Sequence, residues 1–177
     1  MAIYYSDGSN SGDGRIVQVK SAIKKDFSTI AVNINASYGS YADILSVNIT
    51  PTDSSNNIMI WYTISGSGAQ GSHGISVIKK TVSGSTSQPF LGNSTSGYNR
   101  ATTGTRFIGG NDYNISNQSF MGLDSAGTTS QITYTITGAT ENGTNWYINN
   151  NGMNAGSHSW SANFCTSITA MEIVAWT

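Results

Sequence analysis

Apolar and polar residues alternate at every second position over much of this chain. In QITYTIT, residues 131–137, Ile132, Tyr134 and Ile136 fall on one side and Gln131, Thr133, Thr135 and Thr137 on the other. That period of two predicts a strand with one face in the core and one in solvent. The same device predicts strands in IAVNI, through Ile30, Val32 and Ile34, and in LSVNIT, through Leu45, Val47 and Ile49 until Pro51 and TDSSNN end it. IMIWYTI, residues 58–64, is apolar on both alternations, which predicts a central strand covered on both faces. RIVQV near the start, and RFIG, SFMGL, NWYIN and SITAMEIVAW later, add further strands. Helical spacing occurs in KSAIKKDFSTIAV, through Ile23, Phe27, Ile30 and Ala31, and predicts a turn or two of helix. Gly, Asn, Ser and Thr turns separate the strands at short, even intervals, the pattern of a sandwich or jelly roll.

Composition sharpens this picture. Only 10% of the 177 residues are charged, so Ser, Thr, Asn and Gly must supply the polar surface, and these favour turns and strands over helices. The expected architecture is all-β: a single antiparallel, jelly-roll-like β-sandwich over residues 15–177, preceded by a flexible arm, residues 1–14. The net charge is −1 and the eight basic residues form no stripe, which argues against nucleic-acid and anionic-membrane partners. Cys165 is the only cysteine and lies between apolar residues, the setting of a small buried hydrophobe. No basic, apolar leader opens the chain and no apolar run is long enough to cross a bilayer, so folding in a cytoplasm is expected.

Residues 66–71, GSGAQG, match the dinucleotide fingerprint G-x-G-x-x-G. The motif works only where a strand enters it and a helix leaves it, placing a pyrophosphate at the helix N-terminus. Here SHGISVIKKTV follows, with Ile75 and Val77 on one face of a second strand, and no acid lies between Ser83 and Ile108 for a ribose. The match predicts a Gly/Ser loop joining two antiparallel strands, and no bound cofactor.

Other chemistry is equally sparse. His73 and His158 sit in Gly/Ser loops; a triad with Ser72, Ser157 or Ser159 and Asp112 or Asp124 can be written but lacks a nucleophile motif around the serine. Asp7, Asp13, Asp43, Asp53, Asp112 and Asp124 read as turn residues. Glu172 stands apart, on the apolar alternation of Ile168, Ala170 and Val174, where it needs a partner such as Arg100 or Arg106, or a subunit interface. DGSNSGDG has the alternation of a calcium loop, but its twelfth position holds Gln18 in place of a bidentate carboxylate. No metal site and no catalytic residue is expected. Trp146, Tyr147, Trp160, Tyr98 and Tyr113 lie in or beside Asn/Gly/Ser loops, as do Trp61 and Tyr62; such aromatics either stack on sugars or serve core and subunit contacts.

The segments GRIVQVKS, LSVNITPTDSSNNIMIWYTI, SFMGLDSAGTTSQITYTI, WYIN and SITAMEI, in this order, resemble a family of small virion structural and fibre-tip proteins of tailed phages of marine bacteria, cyanophages among them. The resemblance spans residues 14–173; its most specific elements are Leu123-Asp124-Ser125 running into Thr128-Thr129, and Ile168-Thr169 followed by Met171-Glu172-Ile173. Ala126 stands where the family often has Pro, and Asn151 where it often has a basic residue, which weakens any transfer of a binding site. The resemblance implies a non-enzymatic β-sandwich on a particle surface, with major capsid or tail proteins as partners and a homo-oligomer, such as a trimer, within its range.

Two roles follow. In one the protein decorates the head, docking through an arm that includes Ala2, Ile3, Tyr4 and Tyr5. In the other it is a receptor-binding fibre tip whose loops, residues 66–74 and 142–156, and aromatics touch a host glycan. The Met start, and the lack of coiled-coil heptads or a β-helical shaft, favour decoration.

Overall fold

The computed structural model describes residues 15–34, 41–68, 70–93, 99–107, 115–151 and 163–175, without the Asn142 side chain. The proposed arm and Tyr98, Tyr113, Trp160, His158, Ser157, Ser159 and Asp112 lie outside these residues. Eleven strands follow in chain order: β1 (Ile16–Lys24), β2 (Ser28–Ile30), β3 (Ala42–Ile49), β4 (Asn57–Gly68), β5 (His73–Val82), β6 (Ser85–Ser87), β7 (Thr103–Arg106), β8 (Ile115–Ser125), β9 (Ile132–Thr140), β10 (Trp146–Ile148) and β11 (Thr166–Ile173). The described residues contain no α-helix, only a 3-10 turn at Glu141–Gly143.

The strands form two antiparallel sheets packed face to face. In the first the order is β1-β11-β4-β8, and the distal end of β4 also pairs β10, which carries β2. In the second the order is β3-β9-β5, with β6 and β7 sharing the far edge of β5. Reduced to its eight principal strands this is the interleaved order of a jelly roll, as the turn spacing predicts.

Period-two burial builds the core between the sheets. Ile58, Ile60, Tyr62 and Ile64 of β4 and Ile168 and Ala170 of β11 face Val47, Ile49, Ile132, Tyr134, Ile136 and Ile78 of the second sheet. Ile44 joins them because a bulge between Asp43 and Leu45 shifts the register of β3.

Four expectations change. The segment with helical spacing is β1 followed by β2: Val19, Ser21 and Ile23 share one face of a strand, and the apparent 3.6 period joins outward Ile23 of β1, exposed Phe27 in the connection and inward Ile30 of β2. β4 is central in its sheet but buried on one face only, since Trp61 is 52% exposed. β4 and β5 do not pair as a hairpin; they belong to opposite sheets, and the Gly/Ser loop is the corner between them. Cys165 is exposed, one residue before β11.

The glycines of the G-x-G-x-x-G match have a packing explanation. A methyl at Gly66 would lie 2.3 Å from the Tyr147 carbonyl oxygen, where β10 approaches β4. One at Gly68 would lie 2.4 Å from the Phe107 ring, and Gly71 turns the corner at φ +78°, its N–H bonded to the Phe107 carbonyl at 2.8 Å. Phe107 packs at 6.2 Å, centroid to centroid, on Trp146, and Gly74 and Gly138 leave room for the indole from the second sheet. Gly68→Ala should cost about 1–3 kcal/mol by overpacking this aromatic pair. Gly104→Ala, whose methyl would meet Ile75 Cγ2 at 3.4 Å and the Gly74 carbonyl oxygen at 3.7 Å, should change urea-unfolding stability by no more than about 0.5 kcal/mol.

Candidate functional site

The outer face of the first sheet is built by the residues that alternate with its core. The register aligns Val19, Met171, Met59 and Leu123 in one row across β1, β11, β4 and β8. The next row on the same face is Ser21, Thr169, Trp61 and Met121, and the next Ile23, Ser167, Thr63 and Ser119. Trp61, Met121, Leu123, Val19 and Ile23 are all exposed, Met121 at 65%. Single exposed apolar side chains are ordinary on protein surfaces, whereas a contiguous band of them marks a contact surface.

No charged side chain stands in these three rows. Four of their five hydroxyls pair with one another: Ser21 Oγ with Thr169 Oγ1 at 2.9 Å, and Thr63 Oγ1 with Ser167 Oγ at 3.1 Å. Removing water from such a face therefore strands few polar groups. The other sheet turns a different surface outward. There Ser46 pairs Thr135 at 2.9 Å, Thr133 donates to Asn48 at 2.8 Å and Lys79 to Asp43 at 2.6 Å, a polar ladder with an ion pair. Thr135 and Thr137, predicted to meet solvent, point outward but are buried.

Of the candidate aromatics, Trp146 and Tyr147 are adjacent on β10 and part ways. Trp146 is 1% exposed and points into the core, so it is no surface contact; period two sends it inward against the glycines. Tyr147 points outward beside exposed Phe27, with ring centroids 6.4 Å apart, and its hydroxyl accepts from Asn145 Nδ2 at 3.1 Å. It extends the apolar face toward β2. Trp61 is among the aromatics that the sequence offers, but sequence reasoning missed Met121 and Leu123; their shared alternation with Trp61, Met59 and Met171 becomes a signal only once the pairing is known.

The acids are held in structural contacts. Glu172 is fully buried, yet no arginine meets it. Its Oε1 accepts from the Thr52 N–H at 2.7 Å, the Thr52 hydroxyl at 2.8 Å and Asn56 Nδ2 at 2.7 Å, and its Oε2 from Gln18 Nε2 at 2.6 Å. Burial pushes the carboxyl up, but the hydrogen bonds from Gln18, Asn56 and Thr52 outweigh it and hold the group down to about 2. Arg100 instead donates to the Gly92 carbonyl, and Arg106 lies exposed on β7. Asp124 lies in β8, not in a turn, where it accepts from Tyr134 at 2.7 Å and pairs Lys80 at 2.8 Å, fastening the sheets together. Burial, then the charge of Asp124 and their shared hydrogen bond, push the Tyr134 hydroxyl well above its usual range. Asp43 is likewise a strand residue, while Asp53 sits in a turn, accepting from the Ser55 N–H at 2.8 Å.

His73 pairs with Glu141 at 2.5 Å, and the Ser72 hydroxyl bonds to Thr144. The buried hydroxyls of Tyr62 and Ser76 bond to each other at 2.8 Å, and Ser76 donates to Gln118 at 2.7 Å. Among the described residues, no group of three or more His, Cys, Asp and Glu could hold a metal ion. A scan against protein-family models and a search of curated proteins returned no match to the chain.

Glu172 makes stability depend on pH in a definite direction. Its folded pKa is depressed, so its contribution is complete above the unfolded value of 4.5 and is lost as pH falls toward about 2. Glu172→Gln sets an amide N–H₂ among donors and should cost on the order of 2–3 kcal/mol at neutral pH. In urea titrations from pH 6 to pH 2, the gap between wild type and variant should narrow below pH 4.5; a gap independent of pH would show that the charge of Glu172 contributes nothing.

Proposed function

We propose that this protein is a non-enzymatic surface protein of a phage particle, a capsid decoration or knob protein that works by contact with other virion proteins. The observation that carries the reading is the uncharged apolar band across four strands of the first sheet. A jelly roll alone implies no function, but one that presents such a band has a surface suited to permanent protein contact. The residue-level resemblance to small virion proteins supplies the setting, at the virion surface after folding in the host cytoplasm.

The described polar clusters support a structural role. Ser72, Ser76, Tyr62, Asp124 and Glu172 all spend their hydrogen bonds holding elements together. Lys24, Lys79 and Lys80 are each paired with an aspartate. No helix among the described residues is long and apolar enough to cross a membrane.

A second reading, the receptor-binding tip of a tail fibre, is favoured by one feature: the outward Tyr147 ring stacked beside exposed Phe27 offers an aromatic surface suited to a sugar. Antibody-gold labelling of purified particles separates the two. Gold over the heads is the expected result, gold at the tail ends would support the fibre tip, and bare particles would overturn both.

A further inference from the structure

We infer that the apolar outer face of the β1-β11-β4-β8 sheet is a self-docking surface, on which a second copy of this chain stacks through a two-fold axis. The inference rests on the reading of that face as a contact surface and adds the identity of the occupant.

Its first support is electrostatic. The rows through Val19, Met171, Met59 and Leu123, and through Trp61 and Met121, carry no charge of either sign. In a two-fold contact each patch meets its own copy, so any charge near the axis faces its like and repels. A surface without charges meets that requirement, whereas a partner recognised by complementary charge would find nothing to pair with here. The second outward face, with Lys79 and Asp43 on it, lacks this property.

The second support is desolvation. The hydroxyls between the apolar residues are already paired across strands, Ser21 with Thr169 and Thr63 with Ser167. Excluding water from them costs little, because each keeps a partner when the face closes.

The third is size. Strands lie about 4.8 Å apart and rise about 3.4 Å per residue, so four strands of this length present on the order of 500 Å² of planar sheet. Side-chain relief raises that toward the roughly 800 Å² per partner of a standard stable interface. Two such sheets pack face to face about 10 Å apart with the apolar side chains interdigitating. The product is a four-layer assembly in which Trp61, on the central strand, supplies the large aromatic anchor.

The test is sedimentation velocity on the full chain over a micromolar concentration series, with Trp61→Glu and Met121→Lys as interface variants and Thr133→Lys on the opposite sheet as control. All three positions leave the core between the sheets untouched, and circular dichroism with thermal melts checks each fold; Met121, the more exposed, keeps the test alive should Trp61→Glu misfold. Wild type and the control should run as dimers. Each interface variant should raise the dimer dissociation constant at least about 100-fold, the effect of burying an unpaired charge. A wild-type chain that stays monomeric overturns the inference, whether residues 2–5 of the chain itself or another virion protein then proves to cover the face. So does an assembly that the two variants leave intact. Gold labelling of the particle is read separately, so a monomeric chain that still labels heads removes this inference and leaves the virion reading standing.

Discussion

The indole of Trp146 is the contact that the far end of the sandwich is arranged around. It lies at 1% exposure between the sheets, and glycines on three strands make the space: Gly66 on β4, Gly74 on β5 and Gly138 on β9. Phe107 closes the same slot against Gly68, and its backbone holds the corner between the sheets through Gly71 and Ser72. With the indole seated, three-residue β10 pairs β4 on one side and β2 on the other, so one buried ring organises the ends of several strands. A close-packed interior does not yield to an added methyl, which is why these positions carry no side chain.

At the other end Glu172 does comparable work by polar means. It sits at the inner edge of β11 and gathers donors from β1 and from the turn that precedes β4. A buried carboxylate without a cation is tolerated because three neutral side chains and a backbone N–H share its charge. Lys80, Asp124 and Tyr134 add a third fastening, across the sheets from β5, β8 and β9. The sandwich is thus tied at several points by buried and half-buried polar groups.

The two outward faces of this fold obey different rules. The polar one pairs Ser, Thr and Asn across strands and adds an ion pair, a surface at ease in water. The apolar one pairs Ser21 with Thr169 and Thr63 with Ser167 and leaves Trp, Met, Leu and Val outward. That asymmetry is why the proposed contact surface falls on one sheet, and the core cannot account for it, since none of the outward residues reaches the space between the sheets.

Local pattern by itself determined that the chain is all-β and sandwich-like, because alternation with period two is written residue by residue and only a half-buried strand needs it. It also placed Ile132, Tyr134 and Ile136 inside and a strand, not a helix, after the glycines of residues 66–71. Tertiary structure alone decided which apolar residues are core and which are surface. Trp61 and Trp146 have the same side chain in similar strand sequences, yet one is exposed and the other enclosed. What differs is what the neighbouring strands carry, glycines that make room around the enclosed Trp146 and outward side chains beside Trp61, and neighbours far apart in sequence meet only through the register of the folded sheets. The same reason hid the donors to Glu172: Gln18, Thr52 and Asn56 lie 154, 120 and 116 positions away along the chain, and only closure of the sandwich brings them to one carboxylate.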